Sequence, residues 1–182
     1  MTYVYHHLPQ NMHGTILYPL NDLKAINEDA YKAGLLKYSG REQVTQQRIP
    51  FFDNCLWNDV IFLTATHPQD IYDARREAGW PDVGPQKYLK IDVSTLDKSK
   101  LAIYLFPHNQ VGSGSKLSDE DFVPYNKDTI EHYSHVPDAT KQYFIDELNK
   151  GSQRIALFYR YIPHVLYKGS IDISDVEVIT VQ

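Results

Sequence analysis

Two adjacent histidines, His6 and His7, stand near the start of the chain in the run Tyr-Val-Tyr-His-His-Leu, whose β-branched and aromatic residues predict a strand. Side chains alternate across a strand, so the two imidazoles are expected on opposite faces, one toward a cleft and the other toward core or solvent. An imidazole in a cleft can take a proton near neutral pH or hydrogen-bond a ribose hydroxyl; two ordinary half-buried histidines satisfy the same pattern. A second group is Lys37, Tyr38, Arg41 and Glu42, at and just past a helix end. Arg41 suits a bidentate contact with phosphate or carboxylate, or else it complements the dipole of its own helix. A third is Cys55 to Asp59. Trp57 offers a face to a planar ligand, and Asn58 and Asp59 could hydrogen-bond its edge, with Thr64 and Thr66 presenting hydroxyls at the far end of the following strand. A core tryptophan beside a polar turn reads equally well. Nothing near Cys55 in the sequence would activate its thiol. The last group is Arg160, His164, Lys168 and Asp172; His164 follows a proline at a strand start and could be aimed into a cleft, the alternative being a surface hairpin with charged edges.

Other chemistries find little support. No H-x-x-x-H, H-E-x-x-H or EF-hand loop occurs, and His132 and His135, three apart, lack an obvious third ligand, so no metal is expected. Gly112 to Ser115 is not a phosphate loop, since the Lys-Ser/Thr ending is missing, and no G-x-S-x-G elbow appears.

The elements that must position these residues belong to one α+β domain spanning residues 1–182. The lone Cys55 rules out an internal disulfide and any multi-cysteine zinc site. The first residues show no signal-peptide pattern, and no run approaches the ~20 apolar residues of a spanning helix, so a cytoplasmic protein without a membrane partner is expected. A net charge of -5 argues against broad adhesion to nucleic acid. Strands are predicted at the start, over Asn58–Thr66, Lys87–Leu96 and Lys100–Phe106, and as three closing strands from Gln153 onward. Helices are predicted from about Asn21 to Gly40, from Pro68 to Gly79, over Lys127–Val136, and from an N-cap at Asp138 to Gly151. The stretch around 107–125 reads as a flexible loop. With no regular βαβ alternation, a mixed or antiparallel sheet core with flanking helices is preferred over a doubly wound parallel sheet.

Three pieces in this order resemble the ADP-ribosyltransferase-like fold group, which includes RNA 2′-phosphotransferases and DarT-type enzymes that modify DNA bases. YVYHHL is similar to its first strand, DVIFLTATHPQDIYDARREAG followed by KYLKIDVSTL to its strand-helix-strand passage, and PHVLYKGSIDISDVEVITV to its closing strands. The resemblance covers about half the chain, and it implies NAD as substrate and no metal. Under it His6 or His7 would contact ribose, Arg41 would approach the pyrophosphate, and Thr64 would line the nicotinamide pocket, with His7, Trp57, Asn58, Asp59 and Tyr72 as further cofactor-binding candidates. His6, Arg41 and His164 would be the catalytic set, His164 standing where many such enzymes place the catalytic glutamate. The implied activity is transfer of ADP-ribose to a nucleic acid or protein target. Two other classes stay open: a non-catalytic module binding a protein through a surface rich in the chain's fourteen tyrosines, and a metal-independent nuclease with histidines as acid and base. The macromolecular target and the oligomeric state are not legible in the sequence.

Overall fold

The computed structural model describes residues 2–10, 12, 14–107, 116–151 and 156–182. Its strands in chain order are β1 Tyr3–His7, β2 Ile16–Leu17, β3 Arg48–Ile49, β4 Cys55–Leu56, β5 Ile61–Leu63, β6 Gln86–Asp92, β7 Leu101–Tyr104, β8 Phe122–Pro124, β9 His164–Tyr167, β10 Ile171–Asp172 and β11 Glu177–Val181. The α-helices are α1 Leu20–Ile26, α2 Glu28–Leu35, α3 Pro68–Glu77 and α4 Asp138–Asn149. Two antiparallel sheets dominate, one ordered β1-β6-β11 and the other β5-β9-β7-β8. In the first, Tyr3 faces Asp92 and His7 faces Tyr88 across the β1–β6 ladder. In the second, β9 is central: Leu63 pairs with Val165 on one side and Tyr104 with His164 on the other.

The sheets enclose a core of Val4, Leu63, Leu89, Ile91, Ile103 and Val165, each at most 2% exposed. Alternation explains which side chains reach it: along β6, Leu89 and Ile91 point inward while Lys90 and Asp92 remain half-exposed. All four residues of β7 are buried, because both faces of that strand are covered. The chain is thus α+β with antiparallel sheets and flanking helices, and every strand pairing among the described residues is antiparallel.

Several predicted elements differ. The long helix from Asn21 is two helices broken at Asn27, whose φ of -151° is not helical and whose Oδ1 accepts from Ala30 N at 3.1 Å, making it the N-cap of α2. The strand expected over Asn58–Thr66 shortens to β5, because Trp57–Asp59 form a 3₁₀ turn tied by Asp59 to Leu56 N. Residues 127–136 hold only a 3₁₀ turn, Ile130–Tyr133; the Asn126 side chain and carbonyl take up Asp128 N, Thr129 N and Ile130 N in a local turn that competes with a helix. Asp138 is the first helical residue of α4 rather than its cap, which is Pro137. Of the loop expected at 107–125, residues 108–115 lie outside the described residues, but Asp119–Asp121 are a 3₁₀ turn and Phe122–Pro124 pair with β7. Nor is the first of the three closing strands found among the described residues, its start at 153–155 lying outside them. Residues 156–163 turn instead, their aromatic side chains packing on α3 and α4 while the carbonyl of Arg160 accepts from Thr140 Oγ1 at 2.8 Å. No helix among the described residues is long and apolar enough to cross a membrane.

Ile103 sits at 0% exposure between the sheets. Its replacement by alanine is expected to cost about 2–5 kcal/mol in urea unfolding, whereas Val178→Ala on β11, 49% exposed, should stay within about 0.5 kcal/mol.

Candidate functional site

The two sheets touch through one backbone bridge between β1 and the end of β5: Tyr5 N donates to Thr64 O at 2.8 Å, and Thr64 N to Tyr5 O at 3.0 Å. Around this seam lie two adjoining cavities that share His6, His7 and Phe62 in their walls. The smaller, about 120 Å³, is completed by Tyr5, Leu63, Thr64, Tyr159 and His164. The larger, about 490 Å³, lies between the seam and the α1–α2 hairpin, with Lys37 and Asn58 in its wall beside a mainly apolar lining. A space of this size suits a small organic ligand.

His6 turns its ring back on its own strand. Nδ1 lies 2.6 Å from the carbonyl oxygen of His7, and a carbonyl only accepts, so Nδ1 carries the proton. Burial first, and the charge of Lys37 among the lesser causes, push its pKa down to about 4, against the pull of that hydrogen bond. At neutral pH the ring is therefore uncharged, and Nε2 is its free lone pair. His7 Nε2 donates to Gln86 Oε1 at 3.1 Å, and its ring meets the edge of Tyr88 at 5.3 Å. Strict alternation would separate the two histidines, yet both line both cavities; β1 is an edge strand, so the cavities wrap around it rather than lying on one face.

His164 stands in a ring of aromatics, with Phe106 at 5.7 Å, Phe62 at 5.8 Å, Tyr159 at 6.0 Å and Tyr104 at 6.3 Å between centroids. The register of β9 on β7 sets Tyr104 opposite it. Desolvation by these neighbours pushes its pKa down to about 4, opposed by the nearby carbonyls of Pro163 and Ile162, while Nδ1 is buried without a hydrogen-bond partner of good geometry. Phe106, and Tyr161 packed on it at 6.0 Å, have positive φ, 50° and 64°. Bulky residues seldom adopt that conformation outside sites that depend on it.

Asn58 is 2% exposed; its Oδ1 accepts from the Tyr38 hydroxyl at 2.6 Å, and its Nδ2 is buried without a partner. Burial pushes the Tyr38 hydroxyl up to about 12 despite the opposing charge of Arg41, so it remains a donor throughout the physiological range. Lys37 stands below its usual pKa through desolvation and then the charge of Arg41.

Of the nine residues to which the resemblance gave a catalytic or cofactor-binding role, His6, His7, His164 and Thr64 meet at the smaller cavity, and Asn58 joins the two strand histidines at the larger. Thr64 Oγ1 accepts from Thr66 N at 3.1 Å. The other four line neither cavity. Arg41 donates Nε and Nη2 to the carbonyl of Lys37 at 3.3 and 3.0 Å. Trp57 packs on Phe62 at 4.6 Å and Tyr104 at 5.5 Å. Asp59 takes Asn21 Nδ2 at 2.6 Å and Leu56 N at 2.7 Å, holding α1 to the 57–59 turn. Tyr72 is buried on α3 against Phe158 at 4.6 Å, within a tyrosine cluster where Tyr159 and Tyr88 hydroxyls lie 3.0 Å apart. The thiol of Cys55 is pushed up, chiefly by burial, which leaves little thiolate at neutral pH. Sequence reasoning passed over Phe62 and Tyr159; the apolar stripe of the α1–α2 segment was legible from Leu23, Ile26, Tyr31, Leu35 and Leu36, but not the cavity that Leu20, Leu23 and Ile26 line. Neither cavity is lined by a carboxylate among the described residues.

No protein-family model, no curated protein and no solved structure matches this chain.

The neutral histidines tie stability to pH. An imidazole held near 4 in the fold but free to charge near 6.5 in the open chain weakens the fold as pH drops below about 6.5, and the loss levels off below about 4. Between pH 7.5 and 5 each should remove about 1–2 kcal/mol, after allowance for partial exposure. His164→Phe, which suits the aromatic surroundings, is expected to reduce the drop in urea-unfolding free energy over that range by the contribution of one histidine; an unchanged drop would show that His164 already protonates freely.

Proposed function

We propose that the paired cavities bind a nicotinamide dinucleotide and that the chain breaks its nicotinamide–ribose bond, acting as an ADP-ribosyltransferase-like protein. The observation that carries this reading is the meeting of the first strand's histidines with His164 and Thr64 at one seam beside a larger cavity. Residues 6, 64 and 164 are far apart in sequence and come together only through the β1–β5 bridge and the β5–β9 ladder.

In this reading the ring and its ribose occupy the seam. The C–N bond breaks with both electrons leaving on nicotinamide, and the ribose carbon passes through a cation-like state that an incoming hydroxyl or base nitrogen then attacks. His6 supplies an acceptor, Nε2, for a ribose hydroxyl or for the proton released by the nucleophile. With no carboxylate in the wall, the developing positive charge is met by the faces of Phe62 and Tyr159 and by imidazole lone pairs. Cation–π contacts of this kind are worth about 2 kcal/mol when desolvated, less than an ionised carboxylate would supply. Lys37 is the cation beside the larger cavity, and Arg41 reaches its surroundings through the Lys37 carbonyl, so this end suits the phosphates. A surface of exposed tyrosines has less behind it, since none of the fourteen is exposed and six are buried.

NAD at a hundred times its dissociation constant should stabilise the protein by about 2.7 kcal/mol, a rise in Tm of about 5–10 °C. His6→Ala is expected to lower nicotinamide release by about 10²-fold or more. Absence of both a thermal shift and nicotinamide release at millimolar NAD would overturn the reading.

A further inference from the structure

The α1–α2 hairpin is an unusual piece of the fold. Neither helix contains a single buried residue, although each has an apolar side. Helices of seven and eight residues do not persist on intrinsic propensity alone and need tertiary burial of an apolar face. Here that face is turned to the larger cavity: Leu20, Leu23 and Ile26 from α1, with Ala30 and Ala33 from α2, form one wall of it. Ile26 is still 54% exposed.

The hairpin's internal join is tight and its external ties are few. Asn27 both ends α1 and caps α2, with no intervening loop. Gly34 lets α2 approach α1 closely, since a Cβ there would come within 2.4 Å of Leu20 Cδ1. Outside the pair, the Asn21–Asp59 hydrogen bond of 2.6 Å fastens α1 to the 57–59 turn. The pair is therefore tied to the rest of the fold at the 57–59 turn, through that hydrogen bond, and at the 3₁₀ turn Leu36–Tyr38 that directly follows α2.

We infer that the α1–α2 hairpin is a clamp completed by its ligand: the missing apolar burial is supplied by a planar ring and sugar seated in the larger cavity, with a phosphate beside Lys37. The inference rests on the nucleotide reading for the identity of the occupant but not for the existence of the clamp. Charge and chemistry favour this occupant over a purely apolar one, because Lys37, His6, His7 and Asn58, whose Nδ2 is buried without a partner, stand in a wall that is otherwise mainly apolar. The cavity volume of about 490 Å³ lies within the range for such ligands.

Hydrogen–deuterium exchange on the full chain separates the two claims. In the free protein, amides of residues 22–35 should exchange at least 100-fold faster than those of β6. Saturating NAD should slow them tenfold or more. Ala30→Trp, or Ala33→Phe if the first variant does not fold, should do the same without ligand by filling the cavity from the hairpin side. Hairpin amides as slow as those of β6 in the free protein would overturn the clamp, as would filled-cavity variants that fold and leave hairpin exchange unchanged. If the variants slow exchange and NAD neither does so nor raises Tm, the clamp is supported and the nicotinamide nucleotide is removed as its occupant. If NAD raises Tm while the hairpin stays fast with NAD and in both variants, the clamp falls and the nucleotide reading stands.

Discussion

The Tyr5–Thr64 bridge is the constraint on which the arrangement of the site depends. β1 and β5 are edge strands of different sheets, and an edge strand normally presents a row of unpaired backbone groups. Here the two edges satisfy each other through one pair of reciprocal hydrogen bonds. Because they join at one residue each, the side chains flanking the join stand at an opening rather than inside a continuous ladder. His6 and His7 flank it on β1, Phe62 and Leu63 on β5. The β5–β9 register then carries His164 to the same place, one residue before Val165, which pairs with Leu63. Three histidines gather because two sheets meet at a point.

What gathers there is electrically quiet. His6 and His164 are both held neutral, one by burial against the seam and the other by four aromatic rings. The tyrosines that looked in the sequence like surface material are spent on this environment: Tyr104 and Tyr159 pack on His164, and Tyr88 pairs with Tyr159 on the far side. At the larger cavity charge enters from the α2 end, through Lys37 with Arg41 behind it, while Arg160 stands over Phe106, one of the rings around His164, at 5.4 Å. Stability and site character thus have a common origin, since the aromatic packing that closes the core also sets the protonation of the site.

Much of the fold was legible where one physical signal dominated. β6 follows from its alternation of apolar and polar residues, β1, β7, β9 and β11 from short runs of apolar, β-branched and aromatic residues, and α3 from Pro68 at its start and Gly79, with φ of 94°, just past its end. Reading failed where short polar side chains redirected the backbone. Asn27 split a helix that apolar spacing alone would have continued, and Asn126 held its neighbours in a turn. It failed again at Phe158 to Ile162, where β-prone aromatics pack on helices instead of pairing as a strand. The site was half legible for a similar reason. A histidine on a strand declares itself, but the groups that define its surroundings, Phe62 and Tyr159, look in sequence like any core aromatic. Arg41 was open in sequence to either a ligand contact or its own helix end, and the helix-end carbonyl of Lys37 accepts from it.

The identity of residue 164 follows from its surroundings. A carboxylate at this position would be enclosed by Phe62, Tyr104, Phe106 and Tyr159, and desolvation would drive it toward the protonated form. A neutral imidazole tolerates the same enclosure at the cost of one unpartnered nitrogen, Nδ1. The aromatic cage suits a neutral ring such as this imidazole, whereas an ionised carboxylate in its place would be a buried charge.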